Sequence, residues 1–139
     1  GNQISSETLV IDGEIFHLGF LDRNYDKNEM FYPNIIEDGG DMPSVYIKNT
    51  HIKQLTKFYE VIAKKLNIKN GVIKGDLVIH DGQLYIIEFA LRLSGGNFST
   101  ICIPNSTHYD IIKYTTMIHL NLSIDKIELN NEKKNDFIS

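Results

Sequence analysis

The sequence predicts an α+β fold: an antiparallel β-sheet with helices packed on one face. Three observations predict it. Two β-rich stretches are each interrupted by an Asp-Gly pair, Asp12-Gly13 and Asp81-Gly82, a dipeptide favoured in tight hairpins because both positions tolerate left-handed backbone. Two other stretches repeat apolar residues at three- and four-residue steps, the helical period. The resulting order, hairpin, loop, helix, hairpin, helix, stacks amphipathic helices on a sheet built from antiparallel neighbours.

Residues 2–11 read as the first strand, with Ile4 to Ile11 its β-rich run. The chain thus opens directly into structure, as a fragment or a split subunit would. Glu14 to Leu21 forms the second strand. Glu7 is expected on a solvated face. Arg23, at the strand end, either binds an anion or serves as a solvated salt-bridge partner, the commoner role. Asp26 to Gly40 is a loop with a short strand at Asn34 to Glu37, and Met42-Pro43-Ser44 breaks the chain.

A helix follows from Asn49 to Asn67. Ile52, Leu55, Tyr59, Ile62 and Leu66 line one side of it, while Lys64 and Lys65 suit its C-terminal dipole. His51 is expected at the surface. The second hairpin occupies Gly71 to Leu93. After Pro104, Ser106 or Thr107 caps a helix reaching Leu122, with Ile111, Ile112, Thr115, Ile118 and Leu122 inward. Ile124 to Leu129 is a last edge strand. The Lys- and Asn-rich tail, 130–139, is expected to fray.

Composition limits the function. The chain has 139 residues, 42% of them hydrophobic, enough for one domain with its own core. Its net charge of −4 argues against nucleic acid or an acidic membrane as a general partner. The lone Cys102 allows no internal disulfide, which suits a reducing, cytoplasmic setting. No signal peptide and no run of membrane-spanning length is seen.

The chemistry concentrates in the second hairpin, GVIKGDLVIHDGQLYIIEFALRLSGGNFST. Each of its apolar runs carries one acid, Asp76 and Glu88, and Arg92 follows four residues after the second. Side chains alternate along a strand, so register decides whether the acids meet. A two-residue loop pairs His80 with Gln83, sets Asp76 opposite Ile87 and sends Glu88 to the other face. A three-residue loop with Gly82 in a bulge pairs Ile79 with Gln83 and puts both acids on one face, a diagonal step apart. Two carboxylates so close repel unless a cation lies between them. Magnesium or manganese suits them better than zinc, since no His or Cys pair is placed to help. The other reading is a solvent-facing strand with ordinary surface acids.

These blocks resemble the C-terminal half of an ATP-grasp domain, in the branch of carbamoyl-phosphate synthases, biotin carboxylases and ATP-dependent carboxylate ligases. The matching pieces are SSETLVIDGEIFHLGFLDRNY, YPNIIEDGGDMPS, LNIKNGVIKGDLVI and IIEFALRLSGGNFST with IPNST, nearly the whole chain. The last two are the most specific, with two acids twelve apart and an Arg four beyond the second. The resemblance implies the ATP-grasp large-lobe fold over residues 1–129, followed by the polar tail. It implies ATP and Mg²⁺ (or Mn²⁺) as cofactors, with the metal on Asp76 and Glu88. Arg92 would contact the phosphoryl group or an acyl phosphate, and Val78 and Ile87 would pack on adenine. The implied reaction is ligation of a small-molecule carboxylate to an amine or a similar nucleophile. The small lobe would be supplied in cis or in trans, so the fragment alone would be inactive. One departure stands out: the family shows Glu-x-Asn-x-Arg, and this chain has Ala90 at the middle position, which puts a second metal in doubt. A non-catalytic interaction module and a split enzyme are the alternatives, and an apolar docking face would also allow a homodimer.

Overall fold

In the computed structural model, which describes residues 1–130 and 136–139, five strands form one antiparallel sheet in the order β3-β2-β1-β4-β5. The strands are β1 (Asn2–Ile11), β2 (Glu14–Asn24), β3 (Gly39–Asp41), β4 (Gly71–His80) and β5 (Gln83–Ala90). The two Asp-Gly hairpins lie side by side. β1 is central and pairs antiparallel with both β2 and β4. It is buried along almost its whole length, as a strand with a neighbour on each edge and cover on each face must be.

The helices are α1 (Asn28–Phe31), α2 (Asn49–Lys65), α3 (Ile103–Thr107), α4 (Ile111–His119) and α5 (Lys126–Asn130), with a π-helical turn at Phe98–Cys102 before α3. They cover both faces of the sheet, where the sequence pointed to one. On one face, Leu55, Tyr59, Ile62 and Ala63 of α2 pack on Ile4, Val10, Ile73, Leu77 and Leu84. On the other, Phe98, Ile103, Ile111 and Tyr114 cover Leu9, Ile11, Phe16 and Val72. Alternation explains the second layer. Leu9 and Ile11 point away from α2, and burying such side chains stabilises a fold by roughly 1.5–3 kcal/mol each.

Several local expectations differ from the structure. The short strand falls at Gly39–Asp41, where it pairs with β2, and not at 34–37. Residues 126–130 are helical, not an edge strand. The expected helix over 107–122 is shorter, α4 at Ile111–His119, and a separate short helix, α3, precedes it. His108 takes left-handed backbone between them, and the Asp110 side chain caps α4 by accepting from the Lys113 N–H. Leu66, Ile112 and Leu122 are exposed. His51 is buried: its ring receives the Lys48 N–H and lies 3.1 Å from the Gly82 carbonyl oxygen, tying the start of α2 to the second hairpin turn. The expected polar tail lies outside the described residues at 131–135. Beyond them, Ile138 pairs with Met42.

Candidate functional site at the second hairpin

The turn of the second hairpin has two residues, not three. His80 pairs with Gln83, and Asp81 and Gly82 take φ of 49° and 73°, the left-handed pair that such a turn requires. Continued regularly, this register would set Asp76 opposite Ile87. The ladder slips instead between Asp76 and Leu77, so that Leu77 pairs with Ile86 and Asp76 with Glu88. Ile87 is the extra residue of a β-bulge. Directly opposed residues share a face with Cβ atoms about 5 Å apart. The backbone positions of the two acids are therefore opposed through a bulge inside β5 and not through a longer loop.

Asp76 is crowded by cations. Its Oδ2 accepts from Lys74 Nζ at 2.5 Å, and its Oδ1 lies 3.4 Å from Arg23 Nη1. Asp76 Oδ1 is nonetheless buried without a hydrogen-bond partner. Arg23 pairs with Glu37 as well as Asp76, but it lines the cleft with only 21% of its side chain exposed, not solvated as the commoner reading had it. The sequence reading gave Lys74 no role in the site. Its position two residues before Asp76 puts it on the same strand face, and that was the available signal.

A cleft of about 590 Å³ opens beside these groups, lined by Asp76, Lys74, Arg23, Arg92 and the Ser94–Asn97 turn. Arg92 is exposed, and its Nη1 donates to the Leu93 carbonyl at 3.0 Å. The turn itself is anchored from below. Glu7 is fully buried, against the expectation of exposure, and its Oε1 accepts the Ser94 N–H at 2.6 Å. Ser99 Oγ donates to the Ser94 carbonyl at 3.1 Å. Desolvation raises the Glu7 pKa, and its hydrogen bonds to Ser94 only partly oppose that. Gly96 takes φ of 62°, and a side chain at Gly95 or Gly96 would meet nothing within 4 Å. The backbone there is open to a ligand.

The remaining candidates lie outside this cleft. Glu88 is exposed, with its backbone opposite Asp76. Val78 is half-buried opposite Tyr85, and Ile87 is 60% exposed. The hairpin thus offers an apolar strip of Val78 and Tyr85 next to the acid pair. Among the described residues no three or more His, Cys, Asp and Glu side chains gather as a metal cage. Two carboxylates, one of them with an unsatisfied oxygen, fit a magnesium ion that draws its other ligands from phosphate oxygens and water.

No family model and no curated sequence matches the chain. Solved structures do. The L-amino acid ligase from Bacillus licheniformis superposes with a TM-score of 0.77 at 20% identity, over 99% of this chain and 32% of that one. A biotin carboxylase–β,γ-ATP complex from Campylobacter jejuni gives 0.70 at 15% identity, over 98% and 28%. The biotin carboxylase domain of Hydrogenobacter thermophilus 2-oxoglutarate carboxylase, in complex with MgADP and bicarbonate, gives 0.68 at 17%, over 98% and 28%. The first two are ATP-grasp enzymes, and this chain has the fold of about a third of their length. No helix among the described residues is long and apolar enough to cross a membrane.

Proposed function

We propose that this chain is the ATP- and magnesium-binding lobe of an ATP-dependent carboxylate ligase that works through an acyl phosphate. The observation that carries the proposal is Asp76, in a cleft shared by Arg92 and the Ser94–Asn97 turn, with Glu88 opposite it on the neighbouring strand at the edge of that cleft. The fold shared with ATP-grasp ligases supports it.

In this reading residues 1–129 form the lobe, and a small lobe in the same or a partner chain closes the nucleotide site. Asp76 and Glu88 hold the metal. When bound, magnesium neutralises charge on the transferring phosphoryl group. Arg92, exposed at the cleft mouth, turns its guanidinium onto the phosphoryl oxygens or the acyl phosphate. The open backbone of Gly95 and Gly96 receives the substrate carboxylate as it attacks the γ-phosphorus of ATP and ADP departs. Val78 and Ile87 provide the apolar floor for adenine. An amine then displaces phosphate from the activated carbonyl, in a site that the closed lobes keep dry.

The test uses the full-length protein. Asp76→Asn and Glu88→Gln should each cut ATP-dependent turnover by a factor of about 10² or more, the scale of a lost preorganised electrostatic contact, while circular dichroism stays native. Near-normal turnover at limiting magnesium in either variant would overturn the assignment. A non-catalytic module is the second reading, favoured by Ala90. Nucleotide binding by the full-length protein that is indifferent to magnesium would select it.

A further inference from the structure

We propose that Lys74 serves as a built-in cation of the nucleotide site, so that this lobe takes one divalent ion per nucleotide and Lys74 binds phosphate oxygens where a second ion would otherwise sit. The inference rests on the ligase reading above.

Three observations on neighbouring strands carry it. Lys74 and Asp76 project from the same face of β4, and the ammonium sits on the carboxylate at 2.5 Å with only 12% of the Lys74 side chain exposed. An ammonium so enclosed is fixed in place, unlike a solvated surface lysine. Directly across the ladder from Lys74 stands Ala90. Its methyl group offers no ligand to a metal, and it leaves room for the lysine stem. Finally, the described residues gather no third acid, His or Cys with Asp76 and Glu88, so the protein's ligands suffice for one hard cation that shares phosphates and water.

The cations of the cleft are not equivalent. Arg23 is engaged by Glu37 as well as Asp76, so its charge is largely spent within the protein. Arg92 is exposed at the mouth. Lys74 makes the shorter contact with the acid assigned to the metal, 2.5 Å against 3.4 Å for Arg23. Arrival of a divalent ion at Asp76 weakens that contact through like-charge repulsion and frees ammonium protons for a new acceptor. The nearest acceptors brought by the incoming group are phosphate oxygens. Lys74 thereby neutralises Asp76 in the nucleotide-free state and contributes a positive charge to the polyphosphate once the metal is bound.

Manganese bound by the full-length protein with a non-hydrolysable ATP analogue is counted by electron paramagnetic resonance. One Mn²⁺ per bound nucleotide is expected. In Lys74→Met, affinity for the analogue at saturating manganese should fall about tenfold, the worth of one charge-assisted contact. Lys74→Arg should recover most of it, which separates lost charge from lost packing. Two Mn²⁺ per nucleotide in the unaltered protein would overturn the inference and leave the ligase reading intact. Unchanged affinity in a folded Lys74→Met would also overturn it. Should Lys74→Met fail to fold, the manganese count on the unaltered protein decides alone. Absence of any manganese–nucleotide binding would sink the ligase reading, and this inference with it.

Discussion

The Ser94 N–H reaches across the interior to Glu7 Oε1 at 2.6 Å, joining the first strand of the sheet to the turn that follows the last. A carboxylate buried at 0% exposure is costly unless its oxygens are used, and here one of them fixes a backbone turn at the cleft. The other, Oε2, has no hydrogen-bond partner.

Glu7→Ala should therefore free the 94–97 turn and destabilise the protein by about 1–3 kcal/mol, the cost of an unmade buried hydrogen bond. Faster amide exchange at Ser94 and a lower denaturation midpoint would show it. Exchange at Ser94 as slow as in the unaltered protein would argue that other contacts hold the turn.

The pH dependence of that carboxyl has a definite sign. Burial raises its folded pKa above 4.5, so the folded state binds the proton more tightly than the unfolded chain. The contribution is full below the unfolded pKa and fades as pH rises through the folded value. Glu7→Gln keeps an acceptor for Ser94 and removes the titration. Its stability relative to the unaltered protein should rise with pH above 4.5. A pH-independent difference in urea denaturation would contradict this.

His17 has the opposite sign. Its ring lies 2.9 Å from both Thr8 Oγ1 and Thr56 Oγ1, and desolvation lowers its pKa from 6.5 to about 4. The unfolded chain takes up the proton first, so stability falls as pH drops from 6.5 towards 4. His17→Gln should flatten the melting temperature over that window. A profile that kept its full slope would place the titration elsewhere.

At Gly75 the Tyr59 hydroxyl of α2 packs directly on the strand backbone. A Cβ there would lie 2.0 Å from Tyr59 Oη and 2.7 Å from Ser6 Oγ, two atoms already hydrogen-bonded at 3.0 Å. Gly75→Ala should cost about 1–3 kcal/mol through overpacking, read from chemical denaturation. Adding Tyr59→Phe should recover part of it, because the nearest clashing atom is then gone. Equal instability of the single and double variants would mean that the strand, not the tyrosine, absorbs the clash.

Both hairpins and α2 were legible from the chain because their signals are local. Asp12-Gly13 and Asp81-Gly82 name their own turns, and Leu55, Tyr59 and Ile62 recur at a helical step. The acids stood out because Asp76 and Glu88 interrupt apolar runs. Their alignment was not legible. Ile87 drops out of the ladder as a bulge, and no residue type announces that. Glu7 reads as an ordinary strand acid until Ser94, distant in sequence, is folded over it. Nothing along the chain singles out Lys74 until the sheet sets it beside Asp76, Glu7 and Ala90.

By itself, then, the sequence determined the two Asp-Gly hairpins and the long helix α2, and which residue types are available for phosphate and metal chemistry. Backbone preferences and side-chain periodicity act over a few residues and are written along the chain. Only the tertiary structure decided that helices cover both faces, that a bulge brings Asp76 opposite Glu88, and that Arg23, Lys74 and Arg92 converge on one cleft. Those outcomes depend on how β1 pairs with β2 and β4, and on how β4 pairs with β5. Pairing between distant segments is settled by packing and by hydrogen bonds that exist only once the sheet has closed.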